Sequence, residues 1–447
     1  MQRRTFLSLL AVPAVAAVFP ACGSDSSKPA TTNGTTPGGT GPDGSTPAAA
    51  KHTSIRGTAA HLTDGADPTS AAAAINAFAG DLYERLVATD PTANLVFSPA
   101  SIALALAMTS AGAKGTTLTE MDAVLHITDP AAIHRSMNAL SASLESLNRT
   151  KDNTAEGGTG TSEVQLSIAN SLWGQSGFEF EHAFLDLLSA EYDAGLELVD
   201  YRADPEAARA AINEWVAGQT KARIPQLLGP GAITKDARLT LVNAIYLKAN
   251  WATAFDPKLT VVQAFHAPTG DVQVDMIHAN RTIGYGAGEG WKAVELPYVF
   301  NGLSFTIALT DGATAPSGDE VFAAMEQRPV DLAFPKFDIA TSTDLAAVLS
   351  AMGMPTAFTG SADFSGMTAA DQLSIGGVVH QANITVDEEG TEAAAATAVV
   401  MVATSAPVPQ EPVTFTADRP FMFWLHDMTS GTIVFAGRVT DPSATRG

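Results

Sequence analysis

The residue types that usually carry chemistry are few and scattered in this sequence. It has one cysteine, Cys22, and nine histidines, whose spacings are not those of metal ligands. It also lacks the motifs G-x-S-x-G and H-E-x-x-H and a phosphate-binding glycine loop. The sequence therefore predicts a protein that is not an enzyme and that uses no metal and no cofactor.

The stretch 387–405 has an unusual order of residue types, D-E-E-G-T-E-A-A-A-A-T-A-V-V-M-V-A-T-S. Gly390 supplies a backbone that is free to change φ, and residues with very small side chains follow it. The later valines favour a strand, and the prolines at 407, 409 and 412 end regular structure. An alanine-rich tract with an acidic start can also form an exposed amphipathic helix. The order of residues favours a segment that can be a loop or a central strand.

The two faces of this stretch differ when residues are counted with the period of a strand. One face carries only small or β-branched side chains: Thr391, Ala393, Ala395 and Thr397. Glu392 is the only charge on the other face, where we expect it to stay in solvent. The first face could therefore enter a packed sheet without burying a charge.

The run E-E-G-T-E-A-A-A-A-T resembles the hinge of the reactive-centre loop in the serpin family. Further blocks that resemble this family lie in the family's order between about residues 75 and 442. They are N-L-V-F-S-P-A-S-I-A, L-V-N-A-I-Y-L-K-A-N-W, V-V-H-Q-A-N-I-T-V-D-E-E-G-T-E-A and D-R-P-F-M-F-W-L. The resemblance implies an α+β serpin fold, in which a multi-helix domain has a large mixed central β-sheet, further sheets and an exposed reactive-centre loop at about 388–412.

The hydrophobic pattern of the chain agrees with a mixed α and β fold. A helix is predicted over 71–88, and Ser98 followed by proline predicts the start of a buried helix. Strands are predicted over 239–251 and 378–387, and a buried hairpin over 421–439.

The resemblance implies that the loop is bait for a protease. After cleavage the loop of an inhibitory serpin inserts into the large sheet while the protease is still attached as an acyl-enzyme. The family's spacing, counted from Gly390, assigns the reactive bond to Thr404 and Ser405, and Ala403 remains an alternative. Small and β-branched neighbours favour elastase-like or subtilisin-like serine proteases in a covalent 1:1 complex. Cysteine proteases also form acyl intermediates and stay an alternative partner.

The resemblance also assigns roles to individual residues. The loop hinge comprises Glu388, Glu389, Gly390, Thr391, Glu392, Ala393, Ala394, Ala395 and Ala396. The polar cluster beneath the point where the sheet opens comprises Ser98, Ser101, Asn243 and His380. Trp251 matches the region where the loop first inserts, and ordinary core packing is the alternative role for it and for His380.

An alternative interpretation of the same resemblance is a non-inhibitory serpin that serves as an extracellular binding module. Members that have lost inhibition commonly carry bulky or charged residues in the hinge. Residues 393–396 are all alanine in this chain, which favours inhibition.

The N-terminal region predicts export. Residues 1–22 have basic residues, an apolar run and then Cys22, which is typical of a signal peptide with a lipoprotein cysteine. Residues 23–68 are rich in Ser, Thr, Pro and Gly and predict a disordered tether before a domain at 69–447. We expect an extracellular or periplasmic protein, anchored to a membrane only through lipid on Cys22, with simple secretion as the alternative. The net charge of −22 excludes a nucleic-acid partner, and we expect a monomer.

Overall fold

The structure is a computed structural model that describes residues 52–63, 65–153, 160–311, 315–369, 372–392 and 410–444. The α-helices in these ranges are α1 (Thr69–Thr89), α2 (Pro99–Ser110), α3 (Gly115–Val124), α4 (Ile133–Glu145), α5 (His182–Tyr192), α6 (Pro205–Gln219), α7 (Gly318–Ala323) and α8 (Ala346–Met352). Short 3-10 helices cover Pro257–Leu259, Val299–Asn301 and Thr356–Phe358.

The strands in the described ranges alternate with these helices along the chain. The first are β1 (Thr53–Ile55), β2 (Leu95–Phe97), β3 (Arg149–Asp152), β4 (Thr161–Gln175), β5 (Leu196–Val199), β6 (Leu239–Asn250), β7 (Val261–Ala267), β8 (Gly270–Gly288) and β9 (Trp291–Pro297). The others are β10 (Leu303–Thr310), β11 (Glu326–Pro335), β12 (Phe337–Asp344), β13 (Ile375–Val386), β14 (Gly390–Thr391), β15 (Val413–Thr416), β16 (Phe421–Asp427) and β17 (Ile433–Val439).

The described strands form two sheets. The eight-stranded sheet has the order β1-β5-β4-β6-β14-β13-β12, with β3 paired to β4. The nine-stranded sheet has the order β15-β11-β8-β9-β10-β16-β17-β2, with β7 paired to β8. Strands from distant parts of the sequence are neighbours in both sheets, so the α+β class predicted from the sequence is confirmed.

Helix α2 fills the centre of the larger hydrophobic core. All of its residues are buried, because the helix contacts β4 and β6 of one sheet and β17 of the other. Ser98 starts the helix as predicted, since its hydroxyl oxygen accepts a hydrogen bond from the Ser101 N–H at 3.2 Å. Helix α2 therefore holds both serines beneath the eight-stranded sheet.

Strand β6 is central in its sheet and apolar on both faces. Its inner face meets α2, and its outer face packs through Val242 and Ala244 into a second core. That second core includes Ile212 and Val216 of α6. Since both faces are covered, the strand is largely apolar along its length, and Asn243 is a buried polar residue in its middle.

The prediction of a disordered tether over 23–68 is wrong for its last part. Strand β1 pairs antiparallel with β5, and the following residues bind helices α4 and α5. The Thr58 N–H donates to Asp186 Oδ1 at 2.6 Å, the Leu62 N–H to the Ala190 carbonyl at 2.9 Å, and Ser136 Oγ to the Asp67 carbonyl at 2.8 Å. Backbone hydrogen bonds can order a chain of small polar residues that has no core of its own. We call residues 52–63 and 65–67 the N-terminal strap; residues 1–51 lie outside the described ranges.

A helix that crosses a bilayer needs about 20 consecutive, mostly apolar residues. No helix in the described ranges combines the two properties well enough to span a membrane.

Replacing Gly57 by valine should release the strap. A Cβ at this position would collide with the backbone of Asp186, which leaves no room for a side chain. We expect the amide protection of β1 against hydrogen exchange to fall at least about ten-fold, which corresponds to roughly 1.4 kcal/mol of local opening free energy. Hydrogen-exchange mass spectrometry measures this protection.

Gly65→Val is the matched control, because a Cβ there would meet nothing within 4 Å. The control should keep the protection of the native protein. Unchanged protection in Gly57→Val would contradict the tight seating of the strap.

Candidate functional site

The two central strands of the eight-stranded sheet pair over only part of their length. Strands β6 and β13 are parallel neighbours from Leu239 and Ile375 up to Ile245 and Ala382. Beyond that point β14 lies between them, with Gly390 opposite Asn250 and Thr391 opposite Ala249. Thr391 also pairs with Val386 of β13. We call this end of the sheet, at Asn250 and Val386, the insertion end.

Gly390 is required by the close approach of β14 to β6. Its φ is +151°, and a Cβ would collide with the carbonyl oxygen of Ala249. The next residue, Thr391, is buried, and its hydroxyl shares a hydrogen bond of 2.7 Å with the Tyr298 hydroxyl. Two residues of the predicted hinge are therefore already part of the sheet.

Trp251 holds the turn that leads into β14. Its backbone N–H donates to the Glu389 carbonyl at 3.0 Å, and its indole Nε1–H donates to the Asp387 carbonyl at 2.8 Å. The indole ring also stacks on Tyr298, with ring centroids 4.6 Å apart. Trp251 thus contacts the start of the hinge directly, and it also packs as an ordinary aromatic residue.

Glu388 is bound at the same place by two residues that flank strands of the nine-stranded sheet, Lys336 after β11 and Thr260 before β7. Its carboxylate binds Lys336 Nζ at 2.8 Å and accepts a hydrogen bond from Thr260 Oγ1 at 2.7 Å. Burial alone would raise the pKa of Glu388, but hydrogen bonds from Lys336 and Thr260 lower it below its usual range. The Phe255 N–H also donates to the Glu388 carbonyl at 2.8 Å. These contacts fix the first residue of the hinge.

The expectation that Glu392 stays in solvent is wrong. Its side chain is only 7% exposed, and its Oε2 lies 3.4 Å from Nε of Arg223, in the segment that follows α6. Its φ of +50° is left-handed, so the strand direction is lost at this residue. The charge of Glu392 is therefore balanced by Arg223, whereas the sequence pattern had suggested that water would solvate it.

Residues 388–392 are thus buried or half-buried, so the prediction of an exposed loop from 388 is wrong for its first five residues. The other predicted site residues of this region lie outside the described ranges: Ala393, Ala394, Ala395, Ala396, Thr404 and Ser405. Cys22 lies outside them as well.

The predicted polar cluster is brought together beneath the paired part of β6 and β13. Asn243 and His380 are direct neighbours in the parallel register. Asn243 Nδ2 donates to Ser101 Oγ and to Asn170 Oδ1, both at 2.6 Å. Ser101 Oγ donates in turn to Asn170 Oδ1 at 2.9 Å, and Ser98 Oγ donates to the Val434 carbonyl at 2.7 Å. The network therefore links β4, β6 and β13 to α2 and β17.

His380 is neutral in this network because of the partners on its two ring nitrogens. The Ser98 N–H donates to His380 Nε2 at 3.0 Å, so this nitrogen accepts and carries no proton. His380 Nδ1 then donates to Asn243 Oδ1. Burial lowers the pKa of His380 to about 3. A proton added at Nε2 would break the Ser98 bond and leave a buried charge.

Several residues of the site were missed by sequence reasoning. Asn170 lies in β4, and its place opposite Asn243 follows only from the pairing of β4 with β6. Arg223, Thr260, Tyr298 and Lys336 come from four separate segments that meet at the insertion end. No spacing in the sequence signals their meeting, because each contact depends on tertiary packing.

In the described part of the site, the polar side chains are hydrogen-bonded to one another and can exchange partners. Among the described residues, no three His, Cys, Asp or Glu side chains lie close enough together to hold a metal ion. The geometry is suited to accepting a further strand between β6 and β13, because β14 has begun to do so.

Comparison with known proteins identifies relatives over most of the chain. Residues 73–442 match the family model described as serpin (serine protease inhibitor). A serpin-like protein of Thermococcus kodakarensis that is described as uncharacterized is 37% identical over 379 residues, covering 83% of this chain and 85% of the relative. The human leukocyte elastase inhibitor is 34% identical over 385 residues, covering 82% and 97%.

A solved structure is similar in fold. The native state of tengpin, a thermophilic serpin, superposes with a TM-score of 0.75 at 24% identity, covering 87% of this chain and 99% of that structure. The serpin fold predicted from the sequence is therefore confirmed.

The neutral state of His380 predicts a loss of stability in mild acid. Its pKa is near 6.5 when unfolded and about 3 when folded, so the unfolded chain binds more protons between these values. Stability from this residue is fully present above pH 6.5 and falls as the pH drops toward 3. Between pH 7.5 and 5.5 the loss is about 1.4 kcal/mol.

Urea unfolding at these two pH values measures the effect, with His380→Gln as the comparison. The variant should be less stable at pH 7.5 by about 1–3 kcal/mol, since the Ser98 N–H loses an acceptor. It should also show a smaller fall between the two pH values. Equal falls in both proteins would contradict the assignment.

Proposed function

Since the chain belongs to the serpin family, we propose that it inhibits a serine protease by acting as a suicide substrate. The observation that carries this proposal is β14, whose two residues already lie between β6 and β13 at the insertion end. The direct pairing of β6 with β13 below that point is the pairing that further insertion must separate.

The chemistry belongs to the protease, and this chain supplies the substrate bond. The protease serine oxygen attacks the carbonyl carbon of Thr404, and the amide bond between Thr404 and Ser405 breaks. The amine of Ser405 leaves with a proton, and an ester joins Thr404 to the protease. Insertion of the freed segment then stops the reaction before water hydrolyses the ester.

The register of β14 defines how the remaining residues would insert. Continuing its antiparallel pairing with β6 sets Ala395 opposite Ile245 and Thr397 opposite Asn243. Continuing its pairing with β13 sets Ala395 opposite Ala382 and Thr397 opposite His380. The two registers agree with each other, because Ile245 with Ala382 and Asn243 with His380 are present neighbours. Twelve residues, 390–401, would then match the twelve residues of β6.

Insertion would replace one kind of strand pairing by a more stable one. The parallel pair of β6 and β13 would become two antiparallel pairs with the new strand between them. The native form is then a kinetically trapped state. The segment from Gly390 to Thr404 spans about 45 Å as a strand, so insertion would carry the attached protease toward the other end of the sheet.

The polar cluster has a role in both states under this proposal. It now links His380 directly to Asn243 across the β6–β13 pair. Insertion would bring the Thr397 hydroxyl between these two side chains. A hydroxyl both donates and accepts, so it can satisfy both groups after they separate. The inserting strand could therefore extend past Asn243 and His380 without leaving either buried polar side chain unpaired.

The target class follows from the loop residues and one relative. Val402, Ala403 and Thr404 fit the small apolar pockets of elastase-like and subtilisin-like proteases. A relative at 34% identity is named leukocyte elastase inhibitor, which supports the same class. A cysteine protease remains the second candidate, because it also passes through an acyl intermediate.

The second candidate function is a binding module that does not inhibit. The alanines at 393–396 count against it, because small side chains keep insertion possible. Heating after cleavage separates the two functions. A protein that inserts its loop becomes much more stable to heat, and a protein that does not insert shows no rise.

We also propose that the protein is exported and anchored through lipid on Cys22, the sole cysteine of the chain. Mass spectrometry of the N-terminal peptide from membrane fractions tests this, with Cys22→Ser as the control. A peptide without lipid in the native protein would favour simple secretion.

The trapping of a protease is tested by mixing residues 52–447 with pancreatic elastase or with subtilisin. We expect a covalent 1:1 complex that survives boiling in denaturing gels and a released peptide that begins at Ser405. Intact-mass analysis identifies both products. Cleavage without a complex by either protease, followed by no rise in thermal stability, would contradict inhibition.

Ala395→Glu should turn the inhibitor into a substrate. The register sets residue 395 on the inner face between Ile245 and Ala382, which are fully buried. Burying a carboxylate there costs several kcal/mol, so insertion becomes slower than hydrolysis of the ester. We expect the fraction of protease trapped per loop cleaved to fall at least ten-fold, measured as the stoichiometry of inhibition.

Ala394→Glu is the matched control for this variant. Its register sets it opposite Tyr246, on the face where Glu392 meets Arg223. It adds the same charge one residue away and should keep most of the inhibition. Equal inhibition by the two variants would argue against insertion in this register.

A further inference from the structure

Exposed apolar side chains are concentrated at one place on the surface. Five large hydrophobic side chains are substantially exposed in the described ranges, and three of them fall within four residues. These three are Leu259 at 52%, Val261 at 46% and Val262 at 64%. Single exposed hydrophobic residues are ordinary, but a cluster marks an interaction surface. We call these three residues the 259–262 patch.

The patch lies at the start of β7, which is an edge strand. Among the described strands β7 pairs only with β8, with Val261 opposite Met276 and Val262 opposite Asp275. Proteins usually protect such edges with charges or prolines. Only Lys258 and Pro257 precede the patch, and neither covers Val261 or Val262, which stay exposed.

Strand β7 is hydrogen-bonded near both of its ends to residues that flank the segment with the reactive bond, Glu388 before it and Asp418 after it. Just before the strand, Thr260 Oγ1 donates to Glu388 Oε1 at 2.7 Å. Near its end, the His266 N–H donates to the Asp418 carbonyl at 2.7 Å. The six steps from 260 to 266 span about 20 Å. The described residues on both sides of the reactive segment are therefore hydrogen-bonded at the two ends of the same edge strand.

We propose that the 259–262 patch is a second contact for the target protease, which would cover it with apolar surface beside its own active-site cleft. This inference rests on the proposed inhibitory function. The patch adds affinity to the first, non-covalent complex and takes no part in insertion. It acts on the rate of association because its side chains are exposed and contribute little to the folded core.

A second copy of this chain is the competing occupant. Two edge strands could pair, but each chain carries a net charge of −22, which opposes self-association. The patch lies on a strand that is hydrogen-bonded to residues on both sides of the reactive segment. A protease binds that segment, whereas a second copy of the chain has no stated reason to do so. The protease is therefore the occupant that the contacts favour.

The test compares two sets of surface substitutions in residues 52–447. The patch variant carries Leu259→Gln, Val261→Thr and Val262→Thr, which keep the strand propensity of β7. The control carries Leu62→Gln and Met428→Gln, the other two exposed hydrophobic residues. The second-order rate constant of complex formation and the stoichiometry of inhibition are measured with a protease that the unmodified domain traps.

We expect the patch variant to associate about ten-fold more slowly, with an unchanged stoichiometry of inhibition. The control should stay within about two-fold of the unmodified domain. Before either variant is added, the protease should cleave a free peptide covering residues 397–408 at the same rate in both experiments, so that equal amounts of active enzyme are compared.

Three results would overturn the inference. Equal association rates of the patch variant and the unmodified domain would show that the patch does not contact the protease. A raised stoichiometry would assign the effect to the hinge contact of Thr260. A dimer that the patch substitutions dissociate in sedimentation experiments would assign the patch to a second copy. The unmodified domain tests the proposed function separately. If it traps no protease, the proposed inhibitory function is wrong, whatever the two variants do.

Discussion

The structure depends on a parallel strand pair that is incomplete. Strands β6 and β13 pair directly over their lower parts and separate at the insertion end, where β14 begins to fill the gap. A parallel pair is slightly weaker than an antiparallel one, so the sheet can gain by accepting a strand that runs the other way. Below the gap, the Asn243–His380 contact joins the two strands directly, and Asn243 is also bonded to Ser101 and Asn170. Under the proposed function, these are the contacts that must separate when the loop inserts.

The hinge is held by two different kinds of contact. Packing sets the path of the backbone, since Gly390 has no space for a Cβ and Thr391 is enclosed with Tyr298. Charges hold the residues on either side, through Lys336 at Glu388 and Arg223 at Glu392. Packing of this kind is rigid, while an ion pair can be exchanged for water at small cost. Under the proposed function, insertion beyond Thr391 would have to move Glu392 away from Arg223, which is a charged contact at the edge of the packed hinge.

Much of this arrangement could be predicted from the sequence, because it is carried by local pattern or by family resemblance. The glycine followed by small residues indicated a segment able to enter a sheet, and Ser98 with its proline indicated the start of α2. Asn170 and Arg223 could not be predicted in the same way, because their partners lie 73 and 169 residues away and follow from packing. The N-terminal strap was misread for a related reason. Its residues have no hydrophobic pattern, and its order comes from hydrogen bonds to β5, α4 and α5.

The position of the strap defines the end of the sheet at which the described part of the chain begins. Thr53 pairs with Leu198, which lies in the same row of the sheet as Gly174 and Leu239. That row is eleven steps along β6 from Asn250, or about 36 Å. The described part of the chain therefore begins at the end of the eight-stranded sheet farthest from the insertion end. The strap and the hinge residues 388–392 lie at opposite ends of one sheet, so a partner that binds at one end does not cover the other.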